Sequence, residues 1–385
     1  MQLKYALVHE WFTPEATGGS ELVVQEILNY IDAELYALID FESTNSDSYL
    51  YERLIGTTFL QHWPFTRKGV QKYLPLMPLA IEQLDLRAYD VILSSSHAVA
   101  KGVISSPHQL HISYCHTPMR YAWDLTFDYL QNDPRGQGFS GILTRYILHR
   151  LRTWDVISAN RVDYFIANSH HTACRIWRCY RRQAKVIYPP VNINRFQHLA
   201  KSKPQKEEFY LTVCRLVSYK KVSLIVEAFN QLKKPLVIIG TGSDLQQIRK
   251  LAKSNVQIMG SQPHNVVEDY LAKAKAFVYA ACEDFGIALV EAQACGTPVI
   301  AYKQGGASET VKDMTQYPKT STGILFEEQT VEAIVEAVKN FEKHQNRIDV
   351  EQCCLQAEKF NPIIFKKSYL EFIDNCCQKF YSSDK

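Results

Sequence analysis

Short apolar runs alternate with longer amphipathic stretches along the whole chain. Continuous runs of Val, Ile, Leu and aromatic residues predict strands buried on both faces, and apolar positions three or four residues apart predict helices. Val222–Leu232 is one such helix, with Leu224, Ile225 and Ala228 on its apolar face. The runs that predict strands are Tyr5–His9, Leu35–Ile39, Val91–Ser94, His111–Cys115, Tyr164–Ala167, Lys185–Ile187, Phe209–Cys214, Leu236–Ile239, Val256–Met259, Ala276–Ala280, Val299–Tyr302 and Gly323–Phe326. Strands that alternate with helices indicate two doubly wound α/β units with parallel sheets.

A proline pair marks the boundary between the two units. Pro189-Pro190 follows the strand-like Lys185–Ile187, and two prolines fix φ and restrict the residue before them, which gives a short, stiff connection. We therefore expect one Rossmann-like domain at residues 1–190 and a second at 191–362. Asn361-Pro362 is a typical helix start, so residues 363–385 are expected to form a C-terminal helix that crosses back to the N-terminal domain.

Two stretches of the first half give no clear pattern, Phe41–Pro78 and Tyr121–Thr153. The second is rich in aromatic residues, arginine and histidine. One interpretation is a surface that faces a partner or a membrane, because exposed apolar patches mark contact sites. The other is a helical hairpin whose aromatic residues pack inside.

Composition excludes several classes of protein. The chain has 385 residues and a net charge of +3, which gives no basic field of the kind that binds nucleic acid. The N-terminus lacks the pattern of a signal peptide, and no run approaches the length of a membrane span, which favours the cytoplasm. The ten cysteines contain no C-x-x-C pair, so a zinc site is not predicted.

The most informative stretch is Glu283–Ile300, with the sequence E-D-F-G-I-A-L-V-E-A-Q-A-C-G-T-P-V-I. A strand ends near Ala280, and Phe285-Gly286 turns the chain into a helix. Gly296 suits the left-handed position after a helix, and Pro298 prevents its continuation. Amides at a helix start lack intrahelical acceptors and have the helix dipole behind them, which predicts an anion site suited to a pyrophosphate. These amides belong to Gly286, Ile287, Ala288 and Leu289.

Two carboxylates flank this helix start. Glu291 shares a helix face with Ile287 and Ala288, and side chains lean toward a helix N-terminus, so its carboxylate is expected to accept hydrogen bonds from ribose hydroxyls. Glu283 lies in the preceding loop and would face the other end of the ligand. On spacing alone, a loop acid and a helix-face acid with no shared ligand explain the pattern equally well.

Glu283 and Glu291 resemble the E-x₇-E signature of retaining glycosyltransferases with the GT-B fold, in glycosyltransferase family 4. The resemblance covers nearly the whole chain. Other segments that resemble the family are Thr17–Glu21, Ser94–His97, Cys115–Pro118, Ala167–Ser169, Val186–Phe196, Arg215–Lys221, Gly240–Ser243 and Gly305–Val311. The resemblance implies an α/β protein of two Rossmann-like, doubly wound parallel-sheet domains that face each other across a cleft. The nucleotide-sugar donor binds in the C-terminal domain, and the N-terminal domain is the acceptor side.

The resemblance also implies roles for individual residues. The catalytic residues are Glu283, which contacts the donor sugar, and His116, which resembles the family histidine beside the transferred sugar; without the family, a lone strand-end histidine is more often structural. The residues implied to bind the donor are Gly18, Gly19, Arg215, Lys220, Ser261, Phe285, Gly286, Ile287, Ala288, Leu289 and Glu291. Lys221 stands where the family often has glycine, so whether Lys220 or Lys221 contacts the diphosphate stays open.

No cofactor or metal is expected. Gly240-x-Gly242-x-x-Leu245 looks like part of a dinucleotide-binding fingerprint, but its third glycine is missing and its strand is not the first of the chain, so NAD is rejected. The chain has no D-x-D motif to hold a divalent cation. Arg215, Lys220 and the helix dipole are expected to replace that metal, and the nucleotide-sugar is a substrate.

The implied function is retaining hexosyl transfer in polysaccharide synthesis. The first choice of donor is a UDP-hexose such as UDP-glucose. His116–Asp124 resembles a bacterial polysaccharide-assembly subgroup in which mannosyl transfer is frequent, so a GDP-mannose-dependent mannosyltransferase is the alternative. The acceptor implied is a lipid-linked saccharide, with peripheral contact at the inner face of the cell membrane. A non-catalytic sugar-nucleotide-binding protein and a nucleotide-sugar epimerase are rivals from other classes.

Overall fold

The computed structural model describes residues 3–14, 18–53, 55–127, 130, 138–201 and 206–382. The chain divides into two compact units. The first comprises Met1–Pro190 together with Phe365–Lys385, and the second comprises Val191–Ile364. Each unit is built around one parallel sheet.

The first unit contains a seven-stranded sheet. Its strands are β1 (Tyr5–Phe12), β2 (Ala33–Asp40), β3 (Ile55–Thr57), β4 (Val91–Ser96), β5 (Leu110–Cys115), β6 (Tyr164–Ala167) and β7 (Ala184–Val186). They pair in the order β3-β2-β1-β4-β5-β6-β7, and every pair is parallel. All residues of β4 and β5 are buried, which explains why their sequences read as continuous runs rather than as alternating ones.

Helices lie between these strands. Among the described residues of this part of the chain, five α-helices have assigned bounds: α1 (Gly19–Tyr30), α2 (Thr66–Gly69), α3 (Met77–Ile81), α4 (Gly138–Ala159) and α5 (His170–Tyr180). Short 3₁₀ segments occupy Phe59–His62, Val70–Leu76 and Ala100–Gly102.

The second unit contains a six-stranded sheet. Its strands are β8 (Tyr210–Val213), β9 (Leu236–Ile239), β10 (Val256–Gly260), β11 (Ala276–Tyr279), β12 (Val299–Tyr302) and β13 (Gly323–Phe326). They pair in parallel in the order β10-β9-β8-β11-β12-β13. The helices are α6 (Asn194–Lys201), α7 (Val222–Leu232), α8 (Leu245–Leu251), α9 (His264–Lys273), α10 (Ile287–Ala294), α11 (Ala307–Thr310), α12 (Val331–His344) and α13 (Val350–Glu358), with 3₁₀ segments at Ser218–Lys220 and Gln345–Arg347.

The last helix, α14, spans Pro362–Ser382. From Phe365 onward it belongs to the first unit, where it buries Phe365, Tyr369 and Ile373 in the core beneath the sheet. The rings of Phe365 and Tyr369 stack on each other, with centroids 5.2 Å apart. Burial of these side chains fixes the end of the chain on the first sheet.

The predicted α/β class with two doubly wound parallel sheets is confirmed. Each strand predicted from an apolar run is present. The unpredicted β3 lies inside Phe41–Pro78 and has three residues, all partly exposed, so it leaves no apolar run in the sequence. Tyr121–Thr153 contains most of α4, and residues 128–129 and 131–137 of it lie outside the described ranges, so the helical-hairpin interpretation stays a prediction.

Strand order reverses once in each sheet, between β1 and β4 in the first and between β8 and β11 in the second. In open α/β sheets, ligands bind outside the carboxyl ends of the strands at such a reversal. The residues that follow these four strands are therefore where a site is expected.

Candidate functional site

The loop after β8 carries Arg215–Lys221, and two glycines of the next loop support it. A Cβ on Gly240, whose φ is 145°, would lie 1.9 Å from the carbonyl oxygen of Cys214. A Cβ on Gly242 would lie 2.1 Å from the carbonyl oxygen of Leu216. Glycine is required at both positions because the two backbones touch. These glycines brace the Arg215 loop, which explains the G-x-G pattern without a dinucleotide.

Lys220 and Glu283 form an ion pair at the carboxyl ends of β8 and β11. The buried Tyr279, the last residue of β11, donates a hydrogen bond to Glu283 Oε1 at 2.7 Å, and its hydroxyl oxygen accepts one from Lys220 Nζ at 2.9 Å. The Lys220 and Glu283 side chains are 13% and 18% exposed. Burial alone lowers the pKa of Lys220, but the charge of Glu283 outweighs it and the pKa is raised. Lys220 is therefore held as a cation beside the Glu283 carboxylate.

The geometry distinguishes the two lysines of this loop. Lys220 ends a 3₁₀ turn and directs Nζ to Glu283, whereas Lys221 has a φ of 54° and precedes α7. A left-handed φ is the conformation that glycine adopts most readily, in agreement with the glycine that the family often has there. Arg215 is exposed in the same loop. Lys220 is thus the lysine that pairs with Glu283, and which of the two contacts the diphosphate stays a prediction.

A pair of glycines holds the backbone of Glu283 in place. Gly306 N–H donates to the carbonyl oxygen of Glu283 at 2.8 Å, and Glu283 forms an isolated parallel bridge with Gly305. A Cβ on Gly305, whose φ is 86°, would lie 2.2 Å from that same oxygen. The G-G-A-S-E-T-V segment therefore acts on Glu283 through backbone contacts.

Helix α10 starts directly after this loop, at Ile287, with Gly286 as its N-cap at a φ of 88°. The amides of Ile287 and Ala288 are first-turn donors of the kind that binds anions. Leu289 N–H donates to the carbonyl oxygen of Gly286 at 3.0 Å, so the expectation of an open amide is wrong for Leu289, because the first turn closes on itself. The Phe285 side chain is buried edge-on against Phe360.

Glu291 lies one turn further along α10 in a different environment. The pKa of Glu291 is raised, mainly because the carboxyl group is buried. The positive charge of Arg195 opposes this shift, and the negative charge of Glu268 adds to it. Arg195 is itself engaged, since its Nε donates to Glu268 at 2.6 Å. Glu291 is therefore a desolvated carboxylate with a weak counter-charge, in contrast to the ion-paired Glu283.

Ser261 is exposed directly after β10, where Gly260 has a φ of 73°. Gly240 N–H donates to the carbonyl oxygen of Gly260 at 2.8 Å, which links this turn to the loop after β9. The sheet order places β9 between β10 and β8. Ser261 is thus at the edge of the sheet, apart from the cluster around Glu283.

In the first unit, Gly18 and Gly19 begin α1, and Thr17 of the same motif lies outside the described residues. The carboxylate of Glu21 caps this helix by accepting from Gly18 N–H at 2.9 Å and from the Ser20 hydroxyl at 2.8 Å. Burial alone raises the pKa of Glu21, but these bonds and His9 outweigh it, and the pKa is lowered. Glu21 therefore stays charged.

His116 follows β5 directly. Its Nε2 lies 2.8 Å from the hydroxyl oxygen of Ser95, and its carbonyl oxygen accepts from Asn168 Nδ2 at 2.9 Å. Burial, followed by the proximity of His97 and His9, lowers the pKa of His116 well below its ordinary value. The imidazole is therefore neutral near pH 7.

Sequence reasoning missed several polar residues of these sites. Glu10 is fully buried in β1 and accepts from backbone amides of the turn that follows β4, including Ala98 N–H at 2.7 Å and Val99 N–H at 2.9 Å. His9 lies beside it, and Tyr279 ends β11. The available signal was a polar residue within an apolar run predicted to be buried, because such groups need internal partners.

Two negative findings bear on metals and membranes. Among the residues that the structure describes, no three or more His, Cys, Asp or Glu side chains gather as a metal-binding group. None of the described helices combines the length and the apolar character needed to cross a bilayer.

Family comparison covers the chain in two consecutive parts. The model for "Glycosyltransferase Family 4" matches residues 17–195, and the model for "Glycosyl transferases group 1" matches residues 194–356. A GDP-mannose-dependent alpha-(1-6)-phosphatidylinositol monomannoside mannosyltransferase of Mycolicibacterium smegmatis is 27% identical over 46% of this chain and 53% of its own length. A GDP-mannose-dependent monoacylated alpha-(1-6)-phosphatidylinositol monomannoside mannosyltransferase of Corynebacterium glutamicum is 36% identical over 26% of this chain and 31% of its own. The matches thus span 53% and 31% of the length of these two relatives.

Solved structures show the same fold over the whole chain. Alr3699/HepE of Anabaena, in complex with UDP and glucose, has a TM-score of 0.68 at 16% identity, over 97% of this chain and 100% of that one. Sucrose-phosphate synthase of Thermosynechococcus elongatus also has a TM-score of 0.68 at 16% identity, over 96% of this chain and 98% of that one. With the two family matches end to end and two parallel sheets of this topology, the chain belongs to glycosyltransferase family 4 and has the GT-B fold.

Proposed function

We propose that this protein transfers a hexose from a nucleotide-sugar to a saccharide acceptor with retention of configuration. The observation that best supports this is the cluster of Lys220, Tyr279 and Glu283 next to the start of α10. A Cβ on Gly286 would lie 3.8 Å from that of Glu283, so the carboxylate and the first-turn amides share one loop. A cation, an anion and open amides together suit a sugar diphosphate.

Each group has a task in this reaction. Arg215, Lys220 and the amides of α10 stabilise the negative charge that develops on the departing nucleoside diphosphate. Glu283 accepts hydrogen bonds from hydroxyls of the donor sugar. The bond from the anomeric carbon to the acceptor oxygen forms on the face where the bond to phosphate breaks, and the acceptor proton passes to the leaving phosphate oxygen. The protein contributes positioning and electrostatics, without a covalent intermediate or a metal.

For the donor we propose a UDP-hexose such as UDP-glucose first and GDP-mannose second. The HepE structure of the same fold holds UDP and glucose, whereas the mycobacterial and corynebacterial relatives are named for GDP-mannose. A saccharide acceptor in polysaccharide assembly fits the subgroup that His116–Asp124 resembles.

Nucleoside diphosphate release tests this proposal. The purified protein is incubated with UDP-glucose, UDP-galactose, UDP-N-acetylglucosamine or GDP-mannose, alone and with a saccharide acceptor, and the diphosphate released is measured. We expect one donor to be turned over and the Glu283→Ala variant to lose roughly 100- to 1000-fold in rate, as for other preorganised electrostatic contacts. Binding of a donor without release would identify a non-catalytic binding protein, and isomerisation of the sugar without release would identify an epimerase.

The outward face of α4 supports a lipid-linked acceptor at a membrane surface. Ile142, Leu143 and Tyr146 are 65%, 55% and 60% exposed there, and Arg145 and His149 are exposed among them. The single carboxylate in the helix sequence, Asp155, is buried against Lys101. Apolar and aromatic side chains mixed with cations are typical of helices that lie on anionic bilayers. We therefore propose peripheral contact through this face.

Sedimentation with lipid vesicles tests this contact. We expect the full chain to sediment with vesicles that contain phosphatidylglycerol and much less with phosphatidylcholine alone. Replacing Leu143 and Tyr146 together by Ser should reduce binding on the order of tenfold or more, since each buried apolar side chain contributes about 1.5–3 kcal/mol. Leu355→Ser, at a residue of α13 that is 53% exposed, is the matched control. Equal binding by both variants would exclude α4 as the membrane face.

A further inference from the structure

A chain of polar contacts connects His116 to the interior of the first sheet. His9 of β1 and Ser95 of β4 are register partners. His9 Nδ1 lies 3.1 Å from the hydroxyl oxygen of Ser95, and this oxygen lies 2.8 Å from His116 Nε2. At the other end, His9 Nε2 lies 3.8 Å from a carboxylate oxygen of Glu21. His9 is fully buried, and since its Nε2 has no hydrogen-bond partner among the described residues, its hydrogen bonds are made through Nδ1.

The positions of the hydrogens follow from the acceptors. The Ser95 hydroxyl has one hydrogen and lies between two imidazole nitrogens, so it donates to one of them and accepts from the other. The Ser95 carbonyl oxygen also lies 3.2 Å from His9 Nδ1, and a carbonyl oxygen can only accept. His9 Nδ1 therefore carries a hydrogen, because a bare nitrogen would face an oxygen lone pair. The Ser95 hydroxyl then donates to His116 Nε2.

This order of donors determines the state of the last ring. His116 is neutral because burial lowers its pKa, so it carries one hydrogen. The nitrogen that accepts from Ser95 cannot carry it. We propose that His9 and Ser95 are positioning residues that hold His116 as the tautomer with its hydrogen on Nδ1.

Neighbouring rings do not interrupt this chain. The centroid of His97 lies 6.0 Å from that of His9 and 6.4 Å from that of His116, beyond direct hydrogen bonding between stacked or tilted rings. Burial lowers the pKa of His97, against the opposing effect of Glu10, so this ring is also uncharged. The ring of Tyr114 also packs against His116, with centroids 5.0 Å apart.

The consequence concerns the reaction and rests on the proposed function. With a hydrogen on Nδ1 and Nε2 engaged by Ser95, His116 has no lone pair with which to remove a proton. It can donate a hydrogen bond through Nδ1, but it cannot serve as a general base. The acceptor proton must then go elsewhere, in agreement with its transfer to the leaving phosphate.

Nitrogen-15 NMR of the imidazoles tests the tautomer directly. The full chain is labelled with ¹⁵N-histidine, and the signals of His116 are identified by their loss in His116→Gln. We expect the wild-type ring to be the Nδ1–H tautomer. Ser95→Ala and His9→Phe should populate the Nε2–H form, whereas His9→Asn, whose amide N–H replaces the Nδ1 donor, should preserve the wild-type signals.

The same strand provides a matched control. Ser94 of β4 has its hydroxyl oxygen 2.9 Å from Nε2 of His111, and both side chains are buried. Successive strand residues point to opposite faces, so Ser94→Ala removes an equivalent contact on the other side of the sheet. It should leave the His116 signals unchanged.

Kinetics provide the second measurement. Loss of one hydrogen bond to a neutral group corresponds to a change in rate of roughly 3- to 10-fold. We therefore expect Ser95→Ala to lower kcat by that factor, with little change in the KM for the nucleotide-sugar. Ser94→Ala and His9→Asn should stay near wild type. An Nε2–H tautomer in the wild-type spectrum, or an equal response to Ser94→Ala and Ser95→Ala, overturns the inference. A correct tautomer in a protein that turns over no donor would refute the proposed function alone.

Discussion

The two sheets carry different chemistry where their strand order reverses. At β1 and β4 the polar side chains are His9 and Ser95, buried deeply enough that neighbouring imidazoles stay neutral. After β8 and β11 they are Lys220 and Glu283, an ion pair of partly exposed side chains. Burial without a counter-ion favours the neutral form of a group, and a close opposite charge favours the charged form. The first region is thus suited to orient an uncharged hydrogen-bonding group, and the second to stabilise charge.

Within the second region, Glu283 and Glu291 repeat this contrast at the two ends of one motif. Glu283 has Lys220 and Tyr279 as partners, whereas the nearest cation to act on Glu291, Arg195, is bonded to Glu268. Two glutamates eight positions apart therefore lie in different electrostatic environments. The motif spacing fixes the identity of both residues but not their electrostatic state.

The largest effect is expected from removing the cation of the charged region. Lys220→Ala leaves Glu283 without its counter-ion and the diphosphate without a positive charge, so we expect kcat/KM to fall roughly 100- to 1000-fold. Lys221→Ala, in the adjacent residue with a left-handed φ, should change it less than about threefold, as for surface substitutions. Steady-state kinetics of both variants measure this. Comparable losses in the two would contradict the assignment to Lys220.

An intermediate effect is expected at Glu291, where a substitution should weaken ligand binding but stabilise the ligand-free protein. Glu291→Gln removes a charged acceptor for ribose hydroxyls, so nucleoside diphosphate affinity should fall roughly 10- to 100-fold by calorimetry. The pKa of Glu291 is raised in the folded state, so its charge destabilises the fold as pH rises through that pKa. Without ligand, the variant should be more stable than wild type at pH 8, with the difference disappearing at acidic pH. A variant that is destabilised at pH 8 and binds normally would place Glu291 outside the site.

The smallest effect is expected from chelation. If Lys220 and the α10 amides replace a divalent cation, EDTA should leave donor turnover unchanged within about twofold, because no metal shares the diphosphate charge. The measurement is diphosphate release before and after chelation. Loss of activity that Mn²⁺ or Mg²⁺ restores would show that the charged region is incomplete by itself.

Local patterns account for what the sequence predicted well. Strands covered on both faces need apolar residues at successive positions, so β1, β4 and β5 were visible as runs. Helix α4 was not visible in this way, because Ile142, Leu143 and Tyr146 on its outward face hide the usual alternation of apolar and polar sides. The three-residue β3 was too short to give a run.

The sequence by itself determined the two sheets, the strand ends at which chemistry is expected and the family of the protein. Only the tertiary structure decided which lysine pairs with Glu283, that Tyr279 joins them, and that His9 reaches His116 through Ser95. His9 and Ser95 are 86 residues apart, and Ser95 and His116 are 21 apart. Apolar burial follows from neighbours along the chain, whereas ion pairs and hydrogen-bond directions depend on the register of parallel strands that are distant in sequence.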